Sequence, residues 1–214
     1  MKEIVIIGAG DLGKEVVWLI EDINKQSPTY LILGFLDDDE SKTGKEFYGY
    51  KVLGKIDILN GLESKHQIKA VIAIQYGDIR KRIAETYKNF TQWETIIHPS
   101  AVIASSAWIE KGCIIFPHVT ISVDSTLGKF GLFYIHSTIC NDCRIGEYVS
   151  VMSDVSVSEH ALIGDKTYLS AGCTVYPHIT VGKDVKAAVG STIVKNCDDG
   201  LKIGERNNGF FLFK

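Results

Sequence analysis

The sequence predicts a small α/β domain followed by a parallel β-helix of hexapeptide repeats. Three observations carry this reading. A six-residue beat runs from Ile97 to Thr192 without a slip, and Ile193 opens one more hexad. Upstream of it, short apolar runs alternate with stretches of helical pattern. Between the first such run and the first such stretch lies Gly8-Ala-Gly10-Asp11-Leu12-Gly13.

Taken in order, Glu3–Ile7 is a continuous apolar run of the kind that forms a strand buried on both faces. Lys14–Ile23 follows as a helix. Tyr30–Phe35 reads as a second strand and runs into Leu36-Asp37-Asp38-Asp39. An extra strand at Tyr50–Leu53 and a short helix at Lys55–Leu59 come next. Lys69–Ile74 reads as a third strand, Asp78–Tyr87 as a helix, and Gln92–Ile97 as a fourth strand leading into the repeats. Alternating strands and helices imply a small parallel sheet.

Within the repeats, every sixth residue from Ile97 is apolar and nearly all are large, through Ile103, Ile121, Phe133, Val151 and Leu169 to Ala187. Four residues after each comes a small or slim one, such as Ser125, Gly131, Cys143 or Thr167. A helical period of 3.6 drifts out of a six-residue repeat, and antiparallel strands break at turns of varied length. Fixed hexads fit coils of three short strands, so that residues 18 apart stack at one strand spacing, roughly 4.8 Å. The expected organisation is residues 1–96, 97–194 and a tail, 195–214, where the beat is lost.

Composition narrows the function. The 214 residues suffice for one large domain or two small ones, and the net charge of −3 gives no basic footprint for nucleic acid. No apolar run approaches the roughly 18 residues needed to span a bilayer. Met1-Lys2-Glu3 leads straight into a strand with no signal-peptide pattern, so a cytoplasmic protein is expected. Cys140-Asn141-Asp142-Cys143 has the spacing of a thiol pair. The hexad turns Cys143 inward with Cys113 and Cys173, and Cys140 outward, so packing rather than metal or redox chemistry is expected.

Gly8, Gly10 and Gly13 form G-x-G-x-x-G between a strand and a helix, where backbone N–H groups can cradle a phosphate. Asp11 lies within the loop, and Asp37, Asp38 and Asp39 end the next strand, where a carboxylate can meet a ribose or base. About 96 residues have room for one Rossmann-like half, and a dinucleotide needs two. A nucleotide or nucleotide-sugar is therefore expected rather than NAD.

Four features in this order carry a resemblance: Ile4-Val-Ile-Ile-Gly-Ala-Gly10 with Gly13-Lys14, Gly34-Phe-Leu-Asp-Asp-Asp39, Ile97-His98-Pro99-Ser100-Ala101, and the hexads. Together they resemble the sugar acetyltransferases of the PglD/NeuD type. The resemblance implies a left-handed β-helix and a homotrimer, with acetyl-CoA as co-substrate between neighbouring β-helices. Ser170, Gly172, Ala188 and Gly190 are the residues assigned to it. It further implies N- or O-acetylation of a nucleotide-linked amino sugar in bacterial surface-glycan synthesis, with the nucleotide-sugar held by the N-terminal domain.

The family's catalytic element, I-[DE]-H-[DE]-C-x-I-G, aligns with Ile139–Gly146. Asp142 keeps the acidic position, but Asn141 stands where the family has its catalytic histidine. Ser150 stands where some members carry a second histidine, and the C-terminal G-x-P-A-K is absent. An asparagine amide is no proton acceptor near neutral pH. Stacking by 18 offers replacements. One column reads Asp124, Asp142, His160, His178, and another reads His118, His136, Asp154, Gly172. A carboxylate beside an imidazole fixes its tautomer and raises its basicity. His160 is the first candidate base and His136 the second. His98 is expected to be structural, and His66, in a polar loop, carries no signal. The competing reading is a non-catalytic trimer that binds a nucleotide-sugar or acyl-CoA.

Overall fold

The structure, a computed structural model, describes residues 1–59, 61 and 68–204. His66 and the apolar end of the tail, Phe210–Phe213, lie outside the described residues.

The N-terminal sheet has the order β3-β4-β2-β1-β5, formed by β1 (Lys2–Ile7), β2 (Tyr30–Leu36), β3 (Glu46–Phe47), β4 (Tyr50–Gly54) and β5 (Lys69–Ile72). All neighbours run parallel except the β3–β4 hairpin. The central β1 buries Ile4–Ile7 completely, as its unbroken apolar run requires. Helix α1 (Asp11–Gln26) lays Val16, Val17, Leu19 and Ile20 on the sheet, and α2 (Gly77–Thr86) contributes Ile83 and Ala84.

The expected fourth strand does not join this sheet. Gln92 O and Glu94 N bracket Ala70 in a single bridge at Trp93. The backbone then changes partner, because Ile96 N already donates to Cys113 O. Ile96–Ile97 is thus the first strand of the β-helix, paired with Ile114–Ile115.

From there each hexad contributes one two-residue strand, and parallel pairing joins residues 18 apart, as in Thr120↔Thr138 and Ile139↔Val157. The strands stack into three faces of a left-handed prism. The first face holds Ile96–Ile97, Ile114–Ile115, Leu132–Phe133, Ser150–Val151, Tyr168–Leu169 and Lys186–Ala187. Val102–Ile103 opens the second face and Trp108–Ile109 the third. Part of the expected tail extends the prism, since Lys202–Ile203 pairs with Lys186–Ala187 and Cys197 bridges Val181.

Two sequence positions explain how the coil turns its corners. The fourth residue of most hexads is left-handed, with φ of 59° at His118, His136, Asp142 and His160 and 57° at Asp154. Asp and His tolerate this region better than most side chains. At several fifth positions a small side chain is also a donor. Ser125 Oγ donates to Cys140 O at 2.7 Å and Thr167 Oγ1 to Gly182 O at 2.7 Å. The Cys113, Cys143 and Cys173 thiols likewise bond the carbonyl 15 residues on. Burial pushes the Cys113 thiol up to about 12 and the Cys143 thiol up to about 11, so both are protonated at neutral pH. All five cysteines are free, as packing roles require.

Arg80 joins the two domains. It is 2% exposed. Its Nε donates to Phe130 O at 2.8 Å. One terminal nitrogen reaches Ile74 O and Gln75 O, and the other reaches Tyr148 O, Val149 O and Ser150 Oγ, all within 3.1 Å. Burial lowers its pKa to about 10, so it stays charged at neutral pH. Phe130 and Tyr148, both left-handed, stack at 5.3 Å beside Trp93. Bulky residues are costly in that region; docking holds them there. Removing the guanidinium leaves several buried carbonyls without a charged donor, at about 1–3 kcal/mol each. Arg80→Met is expected to lose at least about 3 kcal/mol of unfolding free energy in urea. A midpoint equal to wild type would show that the joint does not depend on it.

Candidate functional site

The three glycines of the loop differ in what surrounds them. A Cβ on Gly8, at φ +106°, would lie 2.8 Å from Ala73 O. One on Gly13 would lie 2.2 Å from Gly8 O, so this glycine lets α1 sit close on its strand. Nothing lies within 4 Å of a Cβ on Gly10. Packing does not require a glycine there; the loop is simply left open at the helix N-terminus. Asp11 points into solvent and pairs with Lys14 at 3.2 Å.

Asp37, Asp38 and Asp39 have three separate tasks. Asp37 accepts from Ala9 N at 2.8 Å, Asp39 N at 3.0 Å and Lys42 Nζ at 2.9 Å. Burial raises the Asp37 carboxyl, but the Lys42 ammonium and the two N–H donors outweigh it and hold the group below its ordinary value. Asp37 therefore staples the glycine loop. Asp39 caps the 3-10 turn Glu40–Lys42 through Ser41 N. Asp38 accepts from Ile56 N at 3.1 Å and, with Asp37, lines a cavity of about 260 Å³ between the strand ends and α2. Sequence reading missed Lys42, which also donates to Ala9 O at 3.2 Å. Its only signal was its place in an acidic turn.

The histidine columns occupy two different corners of the prism. Between the second and third faces, His160 Nε2 lies 4.0 Å from Asp142 Oδ2, and Asn141 Nδ2 donates to the same oxygen at 2.8 Å. The His160 ring stacks on His178 at 4.7 Å. Between the first and second faces, His136 Nδ1 lies 3.8 Å from Asp154 Oδ1, with the His118 ring 5.0 Å away. Both pairs are exposed and longer than a hydrogen bond.

Their surroundings separate them. Tyr134, two residues before His136, donates its hydroxyl to Glu15 of α1. The first-and-second-face corner therefore adjoins the glycine-loop helix. Gly172 and Gly190 continue the same corner, flanked by Ser170 and Ala188, and no atom lies within 4 Å of a Cβ built on Gly190. The corner with Asn141, Asp142 and His160 lies across the prism from the first face, on which the N-terminal domain sits through Arg80 and Gln75. One chain thus gathers the loop, His136 and the Ser170–Gly190 ridge on one side, and carries Asp142 and His160 on the other.

Ser150 is engaged rather than free: it donates to Gln75 O at 2.7 Å and accepts from Arg80. His98 is held in place as well. Its Nδ1 accepts from Ser100 N at 3.0 Å, and its Nε2 lies 3.5 Å from Asp22. Among the described residues, no cluster of three or more His, Cys, Asp or Glu suits a metal ion, and no helix is long and apolar enough to cross a membrane.

The fold defines a class: a left-handed hexapeptide β-helix carrying a small α/β domain with a glycine loop at its first strand end. Residues 3–87 match the PglD N-terminal domain. The β-helix follows directly after that matched domain. The UDP-N-acetylbacillosamine N-acetyltransferase of Bacillus subtilis (strain 168) is 32% identical over 119 residues, 54% of this chain and 51% of the relative. The chain thus spans about half the length of this curated relative. The acetyltransferase domain of PglB from Neisseria gonorrhoeae FA1090, in complex with acetyl coenzyme A, superposes with a TM-score of 0.85 at 25% identity. That match covers 94% of this chain and 95% of that one. A histidine-to-asparagine mutant of perosamine N-acetyltransferase from Caulobacter crescentus, in complex with CoA and GDP-perosamine, shares the fold with a TM-score of 0.86 at 23% identity. It covers 94% of this chain and 93% of that chain.

Proposed function

We propose that the protein is an acetyl-CoA-dependent acetyltransferase acting on a nucleotide-linked amino sugar, at nitrogen or oxygen, within bacterial surface-glycan synthesis. The observation that carries the reading is the open space at Gly10, at the N-terminus of α1, the helix that meets the His136 corner of the β-helix through Glu15 and Tyr134. Phosphate oxygens fit that loop. Support also comes from the relatives, whose names and bound ligands are those of nucleotide-sugar N-acetyltransferases and CoA.

In this reading the diphosphate rests on Gly8–Gly13 and the sugar amine projects toward the β-helix. CoA lies along Ser170, Gly172, Ala188 and Gly190. The amine attacks the thioester carbonyl, a base takes the amine proton, and the C–S bond breaks to release CoA. A neutral amine is already nucleophilic, so the base acts as the tetrahedral intermediate forms. Asp142 and His160 face away from their own loop, so they serve a neighbouring copy, in a homotrimer. Exposed Val102, Trp108 and Leu162, at 63%, 66% and 44%, form apolar surface for such contacts. Both substrates place the reaction in the cytoplasm.

The deciding experiment incubates the protein with acetyl-CoA and a set of nucleotide amino sugars, followed by mass spectrometry. A product one acetyl group heavier is the expected result. Binding without turnover of any acceptor would instead establish the non-catalytic reading, which Asn141 favours. Light scattering is expected to give three chains per particle, and a stable monomer at micromolar concentration would rule out the shared site.

A further inference from the structure

We infer that Glu15, steadied by Tyr134, holds the acceptor group of the sugar. Its second carboxylate oxygen takes an N–H of the amine, which makes the site one for amines rather than hydroxyls. This rests on the acetyltransferase reading above and narrows its choice between nitrogen and oxygen.

Asp11, Lys14, Glu15 and Trp18 recur at the i, i+3, i+4 and i+7 positions that share one face of a helix. With Tyr48 from the β3–β4 turn they line a groove of about 430 Å³. The groove starts at the N-terminus of α1, where a loop-bound diphosphate presents its sugar. Trp18 and Tyr48 give it aromatic surface, on which the C–H face of a sugar ring can rest. Tyr48 is 54% exposed and left-handed, at φ 48°. The cost of a bulky residue in that region is not repaid by burial.

Glu15 divides its two oxygens. One accepts from the Tyr134 hydroxyl on the first face. The other has no donor, and the carboxylate no ion pair, among the described residues. The ammonium in the groove, on Lys14, is taken by Asp11 at 3.2 Å. Burial, then Asp11, hold the Glu15 carboxyl above its ordinary value. A cationic group brought by the ligand relieves both. Tyr134 is itself fixed, by its N–H on Val151 O at 2.8 Å and by the Phe116 ring at 4.5 Å. It stands two coils, roughly 10 Å, from Ser170 on the ridge assigned to acetyl-CoA.

The hydrogens decide between nitrogen and oxygen. The neutral amine that attacks the thioester carries two N–H bonds. One stays on Glu15, and the other proton goes to the base as the tetrahedral intermediate forms. A hydroxyl has a single O–H; once given to Glu15, none remains for the base. In the resting complex the ammonium form also brings a charge to the carboxylate, and such bonds are the stronger ones.

Calorimetry on the full chain tests this with two probe pairs that differ at one substituent. These are UDP-glucosamine against UDP-glucose and GDP-perosamine against GDP-rhamnose. At least one amine is expected to bind at least about tenfold tighter than its hydroxyl counterpart. Glu15→Gln keeps an acceptor for Tyr134 and loses the charge. It is expected to bring that pair within about threefold, with the hydroxyl affinity and the thermal midpoint unchanged. A glutamate with a structural role alone would weaken both members alike. Should Glu15→Gln lower the midpoint, Tyr134→Phe is read in its place, since it unfixes the same carboxylate and is expected to weaken amine binding alone. An amine preference unchanged in the variant read, a loss shared equally by both members, or equal wild-type affinity within both pairs overturns the Glu15 assignment and leaves the acetyltransferase reading standing. No binding of any of the four overturns both.

Discussion

Gly10→Val is expected to abolish nucleotide-sugar binding while leaving the thermal unfolding midpoint unchanged. The residue has φ −118° and ψ −165°, an extended conformation that a β-branched side chain adopts readily. A Cβ there meets nothing within 4 Å, so the valine costs no packing. It fills the space that a phosphate needs beside the first N–H groups of α1. Gly13→Ala supplies the contrast. Its Cβ would lie 2.2 Å from Gly8 O, so that variant is expected to lose stability first and binding as a consequence. Calorimetry with a UDP-sugar and a melting curve on both variants separate the two effects. Unchanged affinity in Gly10→Val would move the ligand away from this loop.

The second large effect concerns the missing base. His160→Ala is expected to lower kcat by at least about a hundredfold, within the roughly 10²–10⁴ that general-base removal costs, with little change in CoA affinity. His136→Ala is the paired control. It sits beside α1 and the Gly172–Gly190 ridge, whereas His160 sits beside Asp142 on the far corner. Near-wild-type turnover in both variants would sink the replacement-base idea. Asn141→His restores the family residue next to Asp142, the carboxylate that Asn141 now binds at 2.8 Å. A large gain in rate would mark a weakened enzyme, and no gain would mark a rebuilt or abandoned site.

What the chain declares in advance is whatever repeats. The hexad foretold the 18-residue ladder, the inward cysteines and the histidine–aspartate neighbours, because stacking follows directly from period. Contacts between distant segments leave no such trace. Arg80 reads as an ordinary helix arginine until Phe130 and Tyr148 come within reach. Ser150 reads as a lost histidine, yet it is bonded into the joint between domains. Asp37, Asp38 and Asp39 look equivalent in a row, and only the arrival of Ala9, Ile56 and Ser41 gives each its own task. Gln92–Ile97 reads as one strand because its pattern fits both sheets, and the backbone is shared between them.

Arg80 finds its hydrogen-bond partners among carbonyl oxygens and one hydroxyl, and among the described residues none of them is a carboxylate. Such a contact is formed by fixed dipoles at hydrogen-bond distance in a buried place. Mobile ions, which weaken attraction between exposed charges over roughly 10 Å at 0.1 M salt, have little access to it. Ionic strength therefore acts on this molecule unevenly. Concentrated salt is expected to weaken exposed pairs such as Lys81–Glu85, while the Arg80 joint keeps its strength.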